Sequence, residues 1–181
     1  MTDDGLSERS AAAVGIAFAS AQSSLGTVLV ARRADGVCAL LLGDGDERLM
    51  RELAASFPDA PCERRQDALR PELAAAVALA ENPRAAFEPP LSIGGTPFRK
   101  KVWAALHEIP AGATVSYAEI ARRIGAPSAL RAVAGACAAN VLAIAIPCHR
   151  VLRSDGSLSG YRWGLERKRA LIEREKATTA T

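Results

Sequence analysis

The hydrophobic pattern of the N-terminal half changes from alternation to helical spacing. Two β-type runs, at residues 27–31 and 37–42, flank an Ala-Asp-Gly turn signal and predict a β-hairpin. Apolar residues then recur at helical spacing over 44–57, behind an acidic first turn and before a proline. An alanine-rich segment at 70–82 predicts a second helix, so this half combines strands with helices.

A stretch rich in Pro and Gly, FEPPLSIGG at residues 87–95, interrupts the periodic pattern and is typical of a linker. We therefore place a domain boundary there. Residues 1–93 are expected to form an α/β supporting domain, of which 1–12 form a disordered tail. Residues 94–181 are expected to form the domain that binds a partner and carries the chemistry.

The C-terminal half contains a pair of short helices joined by a glycine-containing turn. A first amphipathic helix is predicted at 96–112. The pair follows, with one helix at 116–125 that begins with a capping box of Ser116 and Glu119, and a second helix at 128–140. Two short helices joined in this way are typical of a helix-turn-helix.

These elements predict an α+β fold. The N-terminal half is expected to form a small mixed sheet with helices. The C-terminal half is expected to be mostly helical, ending in an amphipathic helix at 165–176.

The second helix of the pair has few side chains that could read base edges. It offers Ala, Gly, Cys and a single cation, Arg131, and it lacks the Gln and Lys residues that commonly act in the major groove. A helix covered with small residues can instead approach a DNA backbone or a narrow groove closely, without strong sequence preference.

The charge distribution also favours a polyanionic partner. The net charge of +3 conceals an asymmetry, because residues 1–93 carry 9 Lys and Arg against 14 Asp and Glu, whereas residues 94–181 carry 14 against 6. Aromatic residues make up only 4% of the chain and apolar residues 49%, so the core must be largely aliphatic. A basic C-terminal half is typical of a nucleic-acid-binding surface, although a solvated basic surface would give the same count.

The start of the chain and the cysteines bear on its compartment and cofactors. The first ten residues are acidic and polar, unlike a signal peptide, and no apolar run approaches a membrane span. The four cysteines show no CxxC spacing and are accompanied by only two histidines. We therefore expect a cytoplasmic protein without disulfides, metal or cofactor. Cys38 and Cys137 are interpreted as core residues, and Cys62 as incidental.

An adjacent Cys–His pair lies where the regular pattern ends. Residues 143–146 alternate like a buried strand, and Pro147 then prevents a ladder hydrogen bond, so the next side chains are displayed. His149 and Arg150 both favour the thiolate form of Cys148. Since successive strand residues face opposite ways, Cys148 and His149 can cooperate only if the backbone turns here.

A third group is needed to orient His149. Glu175 on the last helix is our choice, but Glu173 is a competitor about 200° away around that helix. The sequence does not decide between the two carboxylates.

A longer motif surrounds this pair. PCHRV at 147–151 is preceded by RAVAGACAAN and followed by SDGSLSGYRWGLERK. In this context the chain resembles the O6-alkylguanine-DNA alkyltransferases (methylated-DNA–protein-cysteine methyltransferases) from Thr27 to Glu175. It is most like the C-terminal domain of the bacterial adaptive-response (Ada-type) protein. The resemblance implies an RNase-H-like N-terminal domain and a winged-helix-like C-terminal domain.

The resemblance also implies a reaction, namely DNA repair by irreversible, stoichiometric transfer of an alkyl group. Cys148 would take the group from O6 of a flipped-out guanine, or from O4 of thymine. His149 would accept the thiol proton through a bound water, and Glu175 would hold His149. Tyr161 would donate to guanine N3, and Asn140 would tie the recognition helix to the active-site turn.

The base pocket implied by the resemblance has five members: Val151, Arg162, Trp163, Ala143 and Pro147. The backbone carbonyls of Cys148 and Val151 would accept from the exocyclic amine of guanine, and the amide of Arg162 would face O6. Some family members have Pro where this chain has Ala143, and Gly where it has Trp163. A bulky Trp163 at the mouth predicts efficient methyl transfer but poor reaction with benzyl-sized adducts.

The implied partner is duplex DNA that contains O6-alkylguanine. Arg131 would fill the gap left by the extruded nucleotide, and Tyr117 would push on the 3′ phosphate. Further DNA contacts are expected from Ser116, Ala132 and Arg150. A monomer is expected, and the sequence leaves open whether copies bind DNA cooperatively.

Two features of some relatives are absent from this sequence. It lacks the ligands of their N-terminal zinc site, and it lacks the regulatory half of the adaptive-response protein, so no transcriptional role is expected. A non-catalytic DNA- or lesion-binding module is the alternative function, but it leaves the Cys–His turn unexplained. A thiol hydrolase would need an oxyanion hole and a peptide cleft that the sequence does not indicate.

Overall fold

Four strands of the N-terminal half form one mixed sheet in the computed structural model, which describes residues 15–177. They are β1 (Ile16–Ser23), β2 (Gly26–Arg33), β3 (Gly36–Gly43) and β4 (Cys62–Arg64). The order in the sheet is β3-β2-β1-β4, with β4 parallel to β1 and the other pairs antiparallel. The tail expected at residues 1–12 lies outside the described residues.

The predicted hairpin is confirmed as β2 and β3, whereas the sequence pattern does not predict β1 or β4. Every residue of β3 is buried. Each leucine buried there contributes about 1.5–3 kcal/mol relative to an exposed one. The predicted linker is bound to this strand, because Val37 N donates to the Pro90 carbonyl at 2.8 Å and Ser92 N donates to the Val37 carbonyl at 2.8 Å.

Both predicted helices of this half are confirmed and pack on the sheet. Helix α1 (Asp46–Ser56) buries Leu49 and Leu53. Helix α2 (Arg70–Glu81) begins with a proline in its first turn, where no backbone donor is needed.

Four helices lie in the C-terminal half. They are α3 (Pro97–His107), α4 (Tyr117–Arg123), α5 (Leu130–Ala138) and α6 (Leu165–Ala177). Two short strands, β5 (Val115–Ser116) and β6 (Val151–Leu152), pair in parallel. Helices α4 and α5 are the predicted helix pair, and between them Gly125 adopts φ +73°.

Only one of the two hydrogen bonds of the capping box predicted for α4 forms. The Ser116 hydroxyl accepts from Glu119 N at 3.1 Å. The Glu119 carboxylate pairs with Arg122 and Arg123 instead of returning to the Ser116 backbone. The cap therefore satisfies one of the orphan amides at this helix start.

The prediction of a strand at residues 143–146 is wrong. Leu142 makes a single bridge to Leu40 of β3, and the chain then turns through Ile144, whose φ is +66°. Asn140 holds this turn, because its oxygen accepts from Leu142 N at 2.9 Å and its amide donates to the Ile146 carbonyl at 2.9 Å. A segment buried on all sides gives the apolar run of a strand without being one.

One hydrophobic cluster joins the two halves of the chain. Polar bridges add to it: Arg162 pairs with Glu52 at 2.6 Å, and Arg174 donates to the Ala80 carbonyl at 2.7 Å. The observed architecture, a four-stranded mixed sheet with six helices over residues 15–177, confirms the predicted mixture of helices and strands. Within that range no helix has the length and apolarity needed to cross a bilayer.

Candidate active site

Cys148 begins a single 3-10 turn, Cys148–Arg150, and lies on the wall of a cleft of about 570 Å³. The backbone does turn at this point, because the 3-10 turn begins directly after Pro147. Other cleft residues come from α4, α5 and the segment before α6, including Tyr117, Cys137, Ser159, Tyr161 and Arg162. The residue is only 5% exposed, so a substrate atom would have to enter the cleft to reach its sulfur.

The Asn140 side chain contacts the Cys148 sulfur. Its amide nitrogen lies 3.2 Å from Cys148 Sγ and donates to it. Burial raises the pKa of the Cys148 thiol, while this hydrogen bond and the positive charge of Lys168 lower it in part. Burial outweighs these neighbours, so the sulfur is protonated at neutral pH. A reaction of Cys148 therefore needs a proton acceptor.

His149 is fully buried and is held by a carboxylate. Its Nε2 lies 2.8 Å from Glu175 Oε1, while its buried Nδ1 has no hydrogen-bond partner among residues 15–177. Burial lowers the pKa of His149 even though Glu175 opposes this. The ring is neutral at pH 7, and if Nε2 carries the proton toward Glu175, Nδ1 is an acceptor.

The choice between the two carboxylates of α6 is decided by the geometry. Glu175 is buried and contacts His149, whereas Glu173 is exposed. Burial raises the pKa of Glu175, but hydrogen bonds from His149 and Arg150 outweigh burial and bring it to about 2. Glu175 is thus ionised at any physiological pH.

The prediction that Arg150 contacts DNA is wrong. Its side chain is buried, and its guanidinium donates to Glu175 at 2.8 Å, to the Ile109 carbonyl and to the Pro83 carbonyl. It neutralises the buried carboxylate behind His149 and is not among the residues that line the cleft.

Tyr161 lines the cleft with a buried hydroxyl that has no partner among residues 15–177. Burial raises its pKa well above the ordinary value of 10. The hydroxyl is therefore a neutral donor at pH 7. An unpaired buried donor in a native fold calls for an explanation, and a bound ligand is one.

The base pocket expected from the sequence is only partly assembled. Arg162 lines the cleft, although its guanidinium reaches out to Glu52 and to Ser56. Ala143 and Pro147 are buried and are not among the residues lining the cleft. The Val151 carbonyl already accepts from Lys168 Nζ at 2.7 Å.

The expectation that Trp163 narrows the mouth is wrong. Trp163 is only 3% exposed and packs edge-on against Tyr161, with ring centroids 5.2 Å apart. It lines a separate hollow with Leu25 and Arg167. Gly164, at φ +100°, turns the chain directly after it. The reason given for poor reaction with benzyl adducts therefore falls away.

The residues expected to contact DNA lie on or beside the helix pair. Arg131 and Ala132 are exposed on α5, whose other exposed residues include Ala134, Gly135 and Ala138. The Tyr117 hydroxyl lies 2.6 Å from Ser159 Oγ at the edge of the cleft. The exposed side of α5 is thus formed largely of small residues, as the sequence predicts.

Two site residues were misjudged from the sequence. Lys168, which is not among the predicted site residues, is fully buried and donates to Val151 and Ser159. Its helical spacing to Ile172 and Glu175, on the inward track of α6, is the signal that could have found it. Cys137, interpreted as core, also lines the cleft, and burial raises the pKa of its thiol to about 12.

All four cysteines lie within residues 15–177 and are free thiols. In the same range no group of three His, Cys, Asp or Glu side chains could hold a metal ion.

The chain is similar to several known proteins. The model of the 6-O-methylguanine DNA methyltransferase DNA-binding domain matches residues 97–177. Ada of Escherichia coli, described as a bifunctional transcriptional activator and DNA repair enzyme, is 48% identical over 90% of this chain and 46% of its own length. The inducible methylated-DNA–protein-cysteine methyltransferase of Bacillus subtilis is 40% identical over 74% of this chain and 75% of its own.

A solved structure shares the fold. The crystal structure of Mycobacterium tuberculosis OGT in complex with DNA aligns with a TM-score of 0.72 and 33% identity, covering 89% of this chain and 93% of that one. The chain spans about half the length of the Escherichia coli relative. Fold and matches together define an α/β protein with a DNA-binding domain of the O6-methylguanine methyltransferase type. The chain belongs to the methylated-DNA–protein-cysteine methyltransferase family, as its sequence motif predicts.

Proposed function

We propose that this protein repairs duplex DNA by moving the alkyl group of O6-alkylguanine, or of O4-alkylthymine, onto Cys148. The transfer is irreversible, and each molecule acts once. The observation that carries the proposal is the Cys148 thiol on a cleft wall, in a 3-10 turn that also carries His149, whose ring contacts Glu175 of α6. The names of the family relatives support this chemistry.

The reaction is a single displacement. His149 Nδ1 takes the thiol proton through a water, and the sulfur attacks the alkyl carbon. The S–C bond forms as the C–O6 bond breaks, and the electron pair of that bond stays on the base. Tyr161 donates to guanine N3 as the charge develops, and the proton from the thiol finally returns to the guanine. The Glu175 carboxylate stabilises His149 while it carries the proton.

The base is held by backbone groups in this proposal. The carbonyls of Cys148 and Val151 accept from the exocyclic amine, and the Arg162 amide faces O6. The Val151 carbonyl has a second lone pair beyond the one that Lys168 occupies, so it can accept once more. Asn140 holds the turn in which the acceptor sulfur lies.

The alkylated base has to leave the helix before this chemistry can begin, because O6 lies inside the stack. Extrusion costs a few kcal/mol, and less for a weakly paired lesion. We propose that α5 enters the minor groove with its small-residue side, that Arg131 fills the gap, and that Tyr117 presses on the 3′ phosphate. Ser116 and Ala132 contact the backbone nearby. The excess of positive charge after residue 93 supports affinity for any sequence.

The finer architecture is part of the same proposal. Residues 1–93 form an RNase-H-like supporting domain, and residues 94–181 form a winged-helix-like domain that carries the site. The protein acts as a monomer on DNA. Its four free thiols support a reducing compartment, the cytoplasm.

Incubation with an O6-methylguanine duplex, followed by peptide mass mapping, tests the function. We expect one methyl group per chain, on the peptide that contains Cys148, and none in Cys148→Ser. Cys62→Ala, altered outside the cleft, is the matched control and should react like the wild type. Methylation of Cys137 would overturn the assignment of the acceptor, and DNA binding without any methylation would favour the non-catalytic binding module.

A further inference from the structure

Lys168 is a buried cation that the displacement mechanism does not use. It lies on the inward side of α6 with no exposed surface. Its Nζ donates to the Val151 carbonyl at 2.7 Å, to Ser159 Oγ at 3.0 Å and to the Ser159 carbonyl at 3.3 Å. Among residues 15–177 no carboxylate lies within ion-pair distance of it. A buried ammonium with only neutral partners is costly, so its position calls for a role.

The partners of Lys168 lie in the two segments that form the cleft beside the thiol. Val151 is three residues after Cys148, and Ser159 is two residues before Tyr161. One ammonium therefore fixes the distance between the segment that carries the acceptor sulfur and the segment that carries the cleft tyrosine.

A hydrogen-bonded chain continues from Lys168 to the DNA side of the cleft. Ser159 Oγ lies 2.6 Å from the hydroxyl of Tyr117, the first residue of α4. An ammonium only donates, so Ser159 Oγ accepts from Lys168, and its own hydrogen is free for Tyr117. The phenol hydrogen of Tyr117 is then free to point outward. Each donation in such a chain strengthens the next.

We propose that Lys168 is a positioning residue, which acts through Ser159 to aim the Tyr117 hydroxyl at a DNA phosphate and to hold the Tyr161 segment beside Cys148. The inference rests on the proposed function, since Tyr117 is taken there to press on the backbone of the extruded nucleotide. It adds a link between the phosphate contact and the cleft wall, so that both are set by one buried group. Neither Lys168 nor Ser159 touches the reacting atoms.

Ser159→Ala tests this with the smallest change, since it removes one oxygen and leaves Lys168 bound to two carbonyls. The maximal rate of methyl transfer at saturating lesion duplex should fall about tenfold, the value of one hydrogen bond of about 1.4 kcal/mol. The Kd for undamaged duplex should stay within about twofold, because charge supplies most of that affinity. Ser159→Thr, which keeps the oxygen, should recover most of the rate.

Ser157→Ala is the matched control. Ser157 lies in the same loop and is exposed, and its hydroxyl donates to Asp155 Oδ1 at 2.6 Å. The Ser157→Ala variant should have the methyl-transfer rate and the Kd for undamaged duplex of the wild type. If Ser159→Ala transfers methyl as fast as the wild type, or if Ser157→Ala slows equally, the inference is overturned.

A double-mutant cycle separates the chain from a purely structural effect. Tyr117→Phe and Ser159→Ala break the same chain, so the double variant should be no slower than the slower single variant. If the rate reductions of the two single variants multiply in the double variant, the coupling is overturned, even if both substitutions also destabilise the fold. If the wild-type protein does not become methylated at Cys148, the proposed function itself is wrong. That outcome is measured with the wild type alone, so it is distinguishable from a failure of the inference about Lys168.

Discussion

The amide of Asn140 donates to the Cys148 sulfur across 3.2 Å, while the oxygen of the same side chain accepts from Leu142 N at 2.9 Å. One side chain thus holds the turn in shape and supports negative charge on the sulfur. Burial opposes that charge, and this hydrogen bond is the strongest of the interactions that lower the pKa of Cys148. The thiol should therefore be sensitive to changes at position 140 that keep the shape of the side chain.

We predict that Asn140→Asp slows alkylation of Cys148 by iodoacetamide. The substitution keeps the acceptor for Leu142 N, removes the donor to the sulfur and to the Ile146 carbonyl, and adds a like charge, so the pKa of Cys148 rises further. We expect the rate at pH 7.5 to fall about 10- to 100-fold, since a donor to a charged group is worth about 1.5–3 kcal/mol. Rates measured from pH 6 to 10 give the shift. Asn82→Asp, at an exposed helix end, is the control, and an unchanged profile for Asn140→Asp would contradict the argument.

Glu175→Gln should destabilise the fold as well as stop the reaction. The change leaves the Arg150 guanidinium buried without its counter-charge, and removing one partner of a buried pair costs about 3–5 kcal/mol. Urea unfolding measures the loss of free energy of unfolding. Glu173→Gln, exposed two residues earlier on α6, should alter that free energy by less than about 0.5 kcal/mol. Equal stabilities for the two variants would show that the buried pair contributes nothing.

The same pair predicts how stability depends on pH. The pKa of Glu175 is lowered from 4.5 to about 2, so its contribution is present above pH 4.5 and is lost as the pH falls toward 2. The pKa of His149 is lowered from 6.5, so its contribution is lost in the same direction, starting below pH 6.5. The urea midpoint should therefore fall as the medium is acidified, and less steeply below pH 4.5 in Glu175→Gln. A midpoint that rises as the pH falls from 4.5 to 2 would contradict the assignment of Glu175, and one that rises as the pH falls just below 6.5 would contradict that of His149.

Local signals in the sequence predict most of the helices and strands. The hairpin, the helices and the Ser116 cap follow from short-range spacing and turn chemistry, and the structure confirms them. The missed strands had weak signals. Strand β1 is built largely from Ala and Ser, and β4 has three residues, of which two are charged. The turn at 143–146 was mistaken for a strand because Asn140, several residues earlier, determines its path.

Within the site, the sequence identified the side chains but not their directions. The motif selects Cys148 and His149, and their turn follows from Pro147 alone. The partners of Arg150 come from positions as far away as Pro83, and the packing of Trp163 depends on Tyr161 and the N-terminal half. Such contacts between distant segments leave no periodic trace, so burial and charge pairing at these positions had to be read from the fold.

Gly36→Ala should weaken the attachment of the linker to the sheet. Gly36 has φ +145°, and a Cβ there would lie 2.5 Å from the Pro90 carbonyl oxygen, the acceptor for Val37 N. Strained backbone of this kind costs about 1–3 kcal/mol, so the free energy of unfolding should fall by that amount. Gly94→Ala, in the same linker with no atom within 4 Å of the added Cβ, is the control for thermal or urea unfolding. If the two variants have the same midpoint of unfolding, the contact between Gly36 and Pro90 does not hold the linker.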